Sequence, residues 1–202
     1  MTRTGPDTRR RLLDAAIPLV ARGGLKALSH RAVEDAAGVA RGSARYHLGS
    51  RHEIVEGLME RMGALELETL HEQQHRLALD YLATGIIDIE AAARSTFAMV
   101  FADRDQVLAR YWLTLEAARD DSFQPIVRRW REAFTSAAVP LLDRLGASDP
   151  AGTAADLVDL VDGIVFARMC TGREEGMLDR VVASAVRLIR ERIGETGDRP
   201  PG

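Results

Sequence analysis

Residues 29–48 read Ser29-His-Arg-Ala-Val-Glu-Asp-Ala-Ala-Gly38-Val-Ala-Arg-Gly42-Ser-Ala-Arg-Tyr-His-Leu48. Two short helices fit this stretch, one from about His30 to Ala37 and one from about Arg41 to Leu48, with Gly38-Val39 as the turn. Ser29 is a good N-cap, because its hydroxyl accepts from a first-turn backbone N–H. Ala32, Val33, Ala36 and Ala37 are the expected packing face of the first helix, and Val39 the plug at the junction. Gly38 allows the sharp change of direction. The second helix is too short and too polar to be core. Arg41, Ser43, Arg45, Tyr46 and His47 crowd into it, and such side chains bond phosphates and base edges when a helix lies in the major groove. The pattern is a helix-turn-helix.

Outward from this stretch the chain reads as all-α. Upstream, Leu12, Leu13, Ala16, Ile17, Leu19 and Val20 make one apolar stripe of a helix from about Asp7 to Arg22, ended by Gly23-Gly24. Pro18 inside it removes one backbone donor and should bend it. Downstream, Ser50 with Glu53 three residues on is a capping-box signature. It opens a fourth helix to about Leu82. Further helices are expected from about Asp88 to Phe101, from Asp103 as a cap to about Arg119, with Pro125 in the first turn of one ending near Gly146, from Ser148-Asp149-Pro150 to Thr171-Gly172, and from about Glu174 to Ile193. That makes about nine, with a disordered polar tail from about Gly194.

Composition narrows the class. The chain has 202 residues, 46% hydrophobic and 28% charged, as in ordinary globular proteins. Cys170 is its single cysteine, so no intrachain disulfide is possible, and it is expected to be a small buried residue. No signal-like apolar stretch opens the sequence, and no apolar run reaches the roughly 20 residues of a membrane span. The expected location is the cytoplasm, with no membrane partner. Residues 1–50 carry nine basic and four acidic side chains, a net of +5 in a chain of net -3. A basic head on an acidic body suits a polyanion, although on charge alone a solvated Arg-rich face fits as well.

From about Arg9 to Met62 the sequence resembles the DNA-binding domain of the TetR family. That family's core reads Ala-Gly-Val-Ser-Lys-Gly-Thr-Leu-Tyr-Tyr-His-Phe-Pro-Ser-Lys. This chain has Ala37-Gly-Val-Ala-Arg-Gly42-Ser-Ala-Arg-Tyr-His-Leu-Gly-Ser-Arg51. It departs at Arg45 (usually tyrosine), Leu48 (phenylalanine), Gly49 (proline) and Arg51 (lysine). The resemblance implies an N-terminal three-helix head, residues 1–50, and a ligand-binding and dimerisation body, residues 51–202. The expected DNA-binding set is Ser29, His30, Arg31, Arg41, Gly42, Ser43, Arg45, Tyr46, His47 and Arg51. Arg31 and Arg41 are the expected readers of guanine edges, since arginine spans O6 and N7. Ser29, His30, Ser43, Tyr46, His47 and Arg51 are expected to hold phosphates, and Arg45 fits either role.

A rival motif lies downstream. His71-Glu72-Gln73-Gln74-His75 is a literal H-E-x-x-H, which on a helix puts two imidazoles on one face beside a glutamate. It raises the alternative of a zinc hydrolase. A third ligand is needed, and the metzincin extension fails at Ala78 and Tyr81; Glu90 is a conceivable substitute to which nothing points. A solvated polar face of the fourth helix explains the residues more simply. The expectation is therefore no enzyme, no metal and no cofactor.

In the body, Phe97 and Phe101, then Trp112, Leu115, Glu116 and Arg119, then Phe123 and Trp130 recur at helical spacing. Core packing accounts for most of them. The resemblance implies that the corresponding helices surround a ligand cavity, where a few polar groups among apolar walls orient a small molecule. Glu116 and Arg119 are the candidates, although an exposed i,i+3 ion pair is the plainer reading. The last two helices carry the stripes Leu157, Leu160, Val161, Ile164, Val165 and Val181, Val182, Ala185, Leu188, Ile189. By resemblance these pair with their copies in a homodimer; an all-monomer fold could also bury them. The implied partners are operator DNA, a second copy and an unidentified small-molecule effector. A DNA-binding protein governed by a protein partner is a further alternative.

Overall fold

The structure is a computed structural model and describes residues 5–194. Among the described residues there are nine α-helices, two single turns of 3-10 helix and no strand. The helices are α1 (Gly5–Gly23), α2 (His30–Ala37), α3 (Ser43–Leu48), α4 (Arg51–Thr84), α5 (Ile89–Val100), α6 (Arg104–Ala117), α7 (Gln124–Arg144), α8 (Pro150–Cys170) and α9 (Met177–Arg192). The 3-10 turns, Leu25–Ala27 and Asp121–Phe123, lie outside the sequence-based reading. Of the tail expected to be disordered, residues 195–202 lie outside the described residues.

The caps form where the side chains allow them. Ser29 Oγ accepts from Ala32 N at 3.2 Å. Asp88, Asp103 and Asp149 each accept from first-turn amides of α5, α6 and α8. Ser50 and Glu53 close a reciprocal capping box: Ser50 N donates to Glu53 Oε2 at 2.7 Å, and Glu53 N to Ser50 Oγ at 3.2 Å. These bonds, the backbone one foremost, hold the Glu53 carboxyl below the usual glutamate range.

The chain divides into two compact units. The first joins the described residues up to Glu66 with Asp103–Trp130. In it α1 packs against α2, α3 and α6. Leu12, Leu13, Ala16, Ile17 and Val20 of the α1 stripe are buried, whereas Leu19 is only half-buried, and α1 runs on through Pro18. The second unit joins Leu67–Ala102 with the described residues after Trp130. There α9 packs against both α5 and α8. Leu142, Ala147, Ala154 and Ile189 form one buried cluster, and Ala93, Val182 and Val186 another.

Four local expectations are corrected. Cys170 is exposed, because it ends α8 and does not sit in its packed stripe. Helix α9 begins at Met177, after the left-handed Gly176, and not near Glu174. Helix α3 begins at Ser43, leaving Arg41 in the turn. On α2, Ala36 faces solvent and Glu34 is buried in place of an alanine. Among the described residues no helix is long and apolar enough to cross a membrane.

Candidate nucleic-acid interface and effector region

Helices α2 and α3 are joined by two left-handed glycines, Gly38 at φ 62° and Gly42 at φ 87°. Other residues rarely adopt this conformation, so both are sequence requirements of the turn. Val33 of α2 and Ala44 and Leu48 of α3 are buried. The outer side of α3 carries Arg45 and Tyr46, both exposed, Tyr46 at 85%. The Tyr46 ring stands edge-on to His47 at 4.8 Å. Ser43 and His47 are partly covered.

Polar side chains tie this small assembly together at its backbone ends. Arg11 Nη2 donates to Ala37 O at the C-terminus of α2, and Arg9 Nη1 to His47 O near that of α3, both at 3.0 Å. Guanidinium groups here satisfy last-turn carbonyls and oppose the negative end of each helix dipole. His30 Nε2 lies 2.6 Å from Gly49 O; it is the donor, since a carbonyl only accepts. Arg51 donates from Nη2 to Leu25 O at 2.6 Å and from Nε to Leu28 O at 3.3 Å. Glu34 Oε1 accepts from Ala44 N at 3.0 Å across the turn.

Apart from the turn glycine Gly42 and the partly covered Ser43 and His47, the expected DNA-contact residues fall into two groups. Arg31 and Arg41 meet on Asp35, at 3.9 and 2.8 Å, and Arg41 Nη1 also donates to Arg31 O at 3.3 Å. With Arg45, Tyr46 and Ser29 they are exposed. His30 and Arg51 have donors engaged within the chain, and Arg51 keeps Nη1 outside those two bonds. Arg9, Arg11 and Glu34 escaped sequence reasoning. The partners of Arg9 and Arg11 lie 38 and 26 residues away, and nothing local announces them.

The candidate effector residues are placed as follows. In the first unit Trp112 and Leu115, one turn apart on α6, are 45% and 49% exposed. The Trp112 ring lies over Gly24, where an added Cβ would stand 3.4 Å from it. Glu116 and Arg119 pair at 3.5 Å, with the arginine largely in solvent. Phe123 is buried and stacks on His52 at 4.5 Å. Trp130 is buried beside Gly63 and donates from Nε1 to Glu66 Oε2 at 3.0 Å. In the second unit Phe97 and Phe101 stack at 6.0 Å. A groove of about 500 Å³ runs between α5 and α9 there, its walls formed by Glu90, Arg94, Asp179, Arg187 and Arg190 over Val182 and Val186.

Of the dimer candidates, Val161, Val165, Val181, Val182, Ala185 and Ile189 are buried within the chain itself. Leu157, Leu160, Ile164 and Leu188 are half-buried. In the H-E-x-x-H segment His71 and His75 are exposed, and Glu72 pairs with Arg76. The intervening residues do the packing: Gln73 Nε2 donates to Ser95 Oγ, and Gln74 Nε2 to Ala137 O. Among the described residues no third His, Cys, Asp or Glu completes a metal-holding group.

Residues 87–192, more than half the chain, match the family model for the tetracyclin repressor-like C-terminal domain. No curated protein matches. Among solved structures, the multidrug-binding protein EbrR complexed with ethidium is 26% identical, over 90% of this chain and 98% of that one, at a TM-score of 0.65. A TetR-family member (SCO1917) from Streptomyces coelicolor is 25% identical, over 91% and 98%, at 0.69. A transcriptional regulator from Rhodococcus shares the fold, at 18% identity over 95% and 99% and a TM-score of 0.75. The family match covers residues 87–192, whereas the sequence resemblance fell on the helix-turn-helix, so two separate stretches lead to one conclusion: the chain belongs to the TetR family of transcription regulators.

Proposed function

We propose that the chain is a homodimeric repressor that binds a two-fold symmetric DNA operator and leaves it when a small effector binds the body. Residues 1–50 form the DNA-binding head in this reading, and residues 51–202 the body, in the cytoplasm. The carrying observation is the pair Arg45 and Tyr46, displayed outward on a six-residue helix whose inner side and ends are fixed. A helix of this length contributes little to a core, so its solvent side is what it offers. In the major groove Arg41 and Arg45 would meet base edges, with Arg31 alongside. Ser29, Ser43, Tyr46, His47 and the remaining Arg51 donor would hold phosphates. His30 also sets the register of the helices through Gly49.

EbrR, whose complexes include ethidium and proflavin, supports an aromatic effector. The half-exposed Trp112 and Leu115 are suited to stack on one, with Glu116 or Arg119 orienting it. Phe97 and Phe101 offer a second aromatic surface in the other unit. Dimerisation is assigned to the half-buried residues of α8 and α9, Leu157, Leu160, Ile164 and Leu188. The test is selection of bound duplexes from a randomised pool, with ultracentrifugation of the free protein. The expected result is a dimer and an inverted repeat whose half-sites lie about 34–36 Å apart, or a whole-turn multiple. A monomer at micromolar concentration, or bound sequences without inverted symmetry, would overturn the reading.

A further inference from the structure

We propose that Glu34 is a positioning residue for DNA recognition, its buried carboxylate supplying from α2 the N-cap that α3 lacks. The inference rests on α3 being the recognition helix. Helix α3 starts after Gly42, which has no side chain to accept a first-turn amide. A helix this short is marginal by itself, so the loss of one end is felt along its whole length. The Ser43 amide is taken by Ala40 O at 3.2 Å. The Ala44 amide is taken by Glu34 Oε1 at 3.0 Å, from ten residues back in the sequence.

Both partners are out of solvent, Glu34 at 4% and Ala44 at 0% exposure, so water is a poor replacement for either. The carboxylate is not stranded there. Arg41 Nη1 lies 3.7 Å from Oε2, and a helix N-terminus favours negative charge. The cap also sets the rotation of α3. Each residue advances a helix by about 100°, so a slip of one residue at the cap would swing Arg45 and Tyr46 onto a different face.

Three variants separate a cap from mere charge or bulk. Glu34→Ala removes the acceptor, Glu34→Asp keeps the charge on a shorter stem, and Glu34→Gln keeps an acceptor oxygen at full length. Two readouts apply: hydrogen exchange of the Ala44 amide relative to α2 amides, and preference for the selected duplex over a scrambled one. Glu34→Ala and Glu34→Asp should speed the exchange and reduce the preference about fivefold to tenfold, the scale of a lost N-cap. Salt dependence should not change, since no phosphate contact is removed. Glu34→Gln should stay near wild type in both, and it carries the test if Glu34→Ala does not fold. Wild-type exchange and preference in folded Glu34→Asp, or a Glu34→Gln as impaired as Glu34→Asp, overturns the proposal. If the wild-type protein selects no duplex at all, the proposed function fails, and exchange at Ala44 alone still decides the role of Glu34.

Discussion

Helix α3 has six residues and buries two of them, Ala44 and Leu48, whereas α9 has sixteen and buries Val181, Val182, Ser184, Ala185, Val186 and Ile189. The long helix is placed by its apolar stripe, wedged between α5 and α8. The short one has too little apolar surface for that. Its place is set by discrete bonds: Glu34 at its start, Arg9 on the His47 carbonyl, His30 on Gly49. Apolar contact is tolerant of small shifts and gains with area. Hydrogen bonds are directional and fix an angle. A helix that must present particular side chains to a partner benefits from the second kind of support.

The sharpest challenge to this contrast is an apolar deletion in the second unit. Leu142 is 1% exposed and packs with Ala147, Ala154 and Ile189. Leu142→Ala should cost about 2–5 kcal/mol by the methylenes lost and the cavity left, read by denaturant unfolding. A cost under about 1 kcal/mol would mean that this unit is not held by its apolar layers.

Next in size is the outer face of α3. Arg45→Ala should weaken operator binding by about 1–3 kcal/mol. Its stability should stay within about 0.5 kcal/mol, since an exposed side chain leaves no cavity. Tyr46→Ala should likewise lose binding at unchanged stability. Binding titrations beside melting curves make the comparison; a large drop in melting temperature with intact binding would reverse the roles of the two sides of α3.

A smaller effect is expected from the single cap of α2. Ser29→Ala removes the acceptor for Ala32 N and should cost about 1 kcal/mol in the same unfolding assay. That should fall below the Leu142→Ala effect, and an equal or larger cost would show a role beyond the cap.

The smallest effect concerns pH. Glu53 is fully exposed, and its carboxyl is lowered chiefly by the Ser50 backbone bond, then by the Ser50 hydroxyl. A carboxyl whose folded pKa is depressed adds stability above its unfolded pKa. That stability is lost as pH falls through the folded value. The melting-temperature advantage of wild type over Glu53→Gln should therefore be constant from neutral pH down to the ordinary glutamate range. It should shrink only at lower pH. An advantage that disappears while pH is still near neutral would remove the capping box as its cause.

Much of this protein was legible in one dimension. The residue types that cap helices, Ser29, Ser50, Asp88, Asp103 and Asp149, are local signals, because a cap and its amide lie within three residues of each other. The apolar stripes of α1, α8 and α9 are equally local, since helical periodicity writes the buried side into the sequence. The turn glycines and the Arg-Tyr-His segment of α3 pointed to the helix-turn-helix and to the family. What only the tertiary structure decided was which polar groups meet across distance. Glu34 looks like one more solvated acid until α3 folds back over it, and Arg9 and Arg11 look like surface charge until two helix ends arrive beside them. Their partners lie 10, 38 and 26 residues away, and no periodicity along the chain encodes such pairs. Burial was decided in the same way: Cys170 and Ala36 have the residue types of a core, but each stands where its helix has no neighbour to cover it.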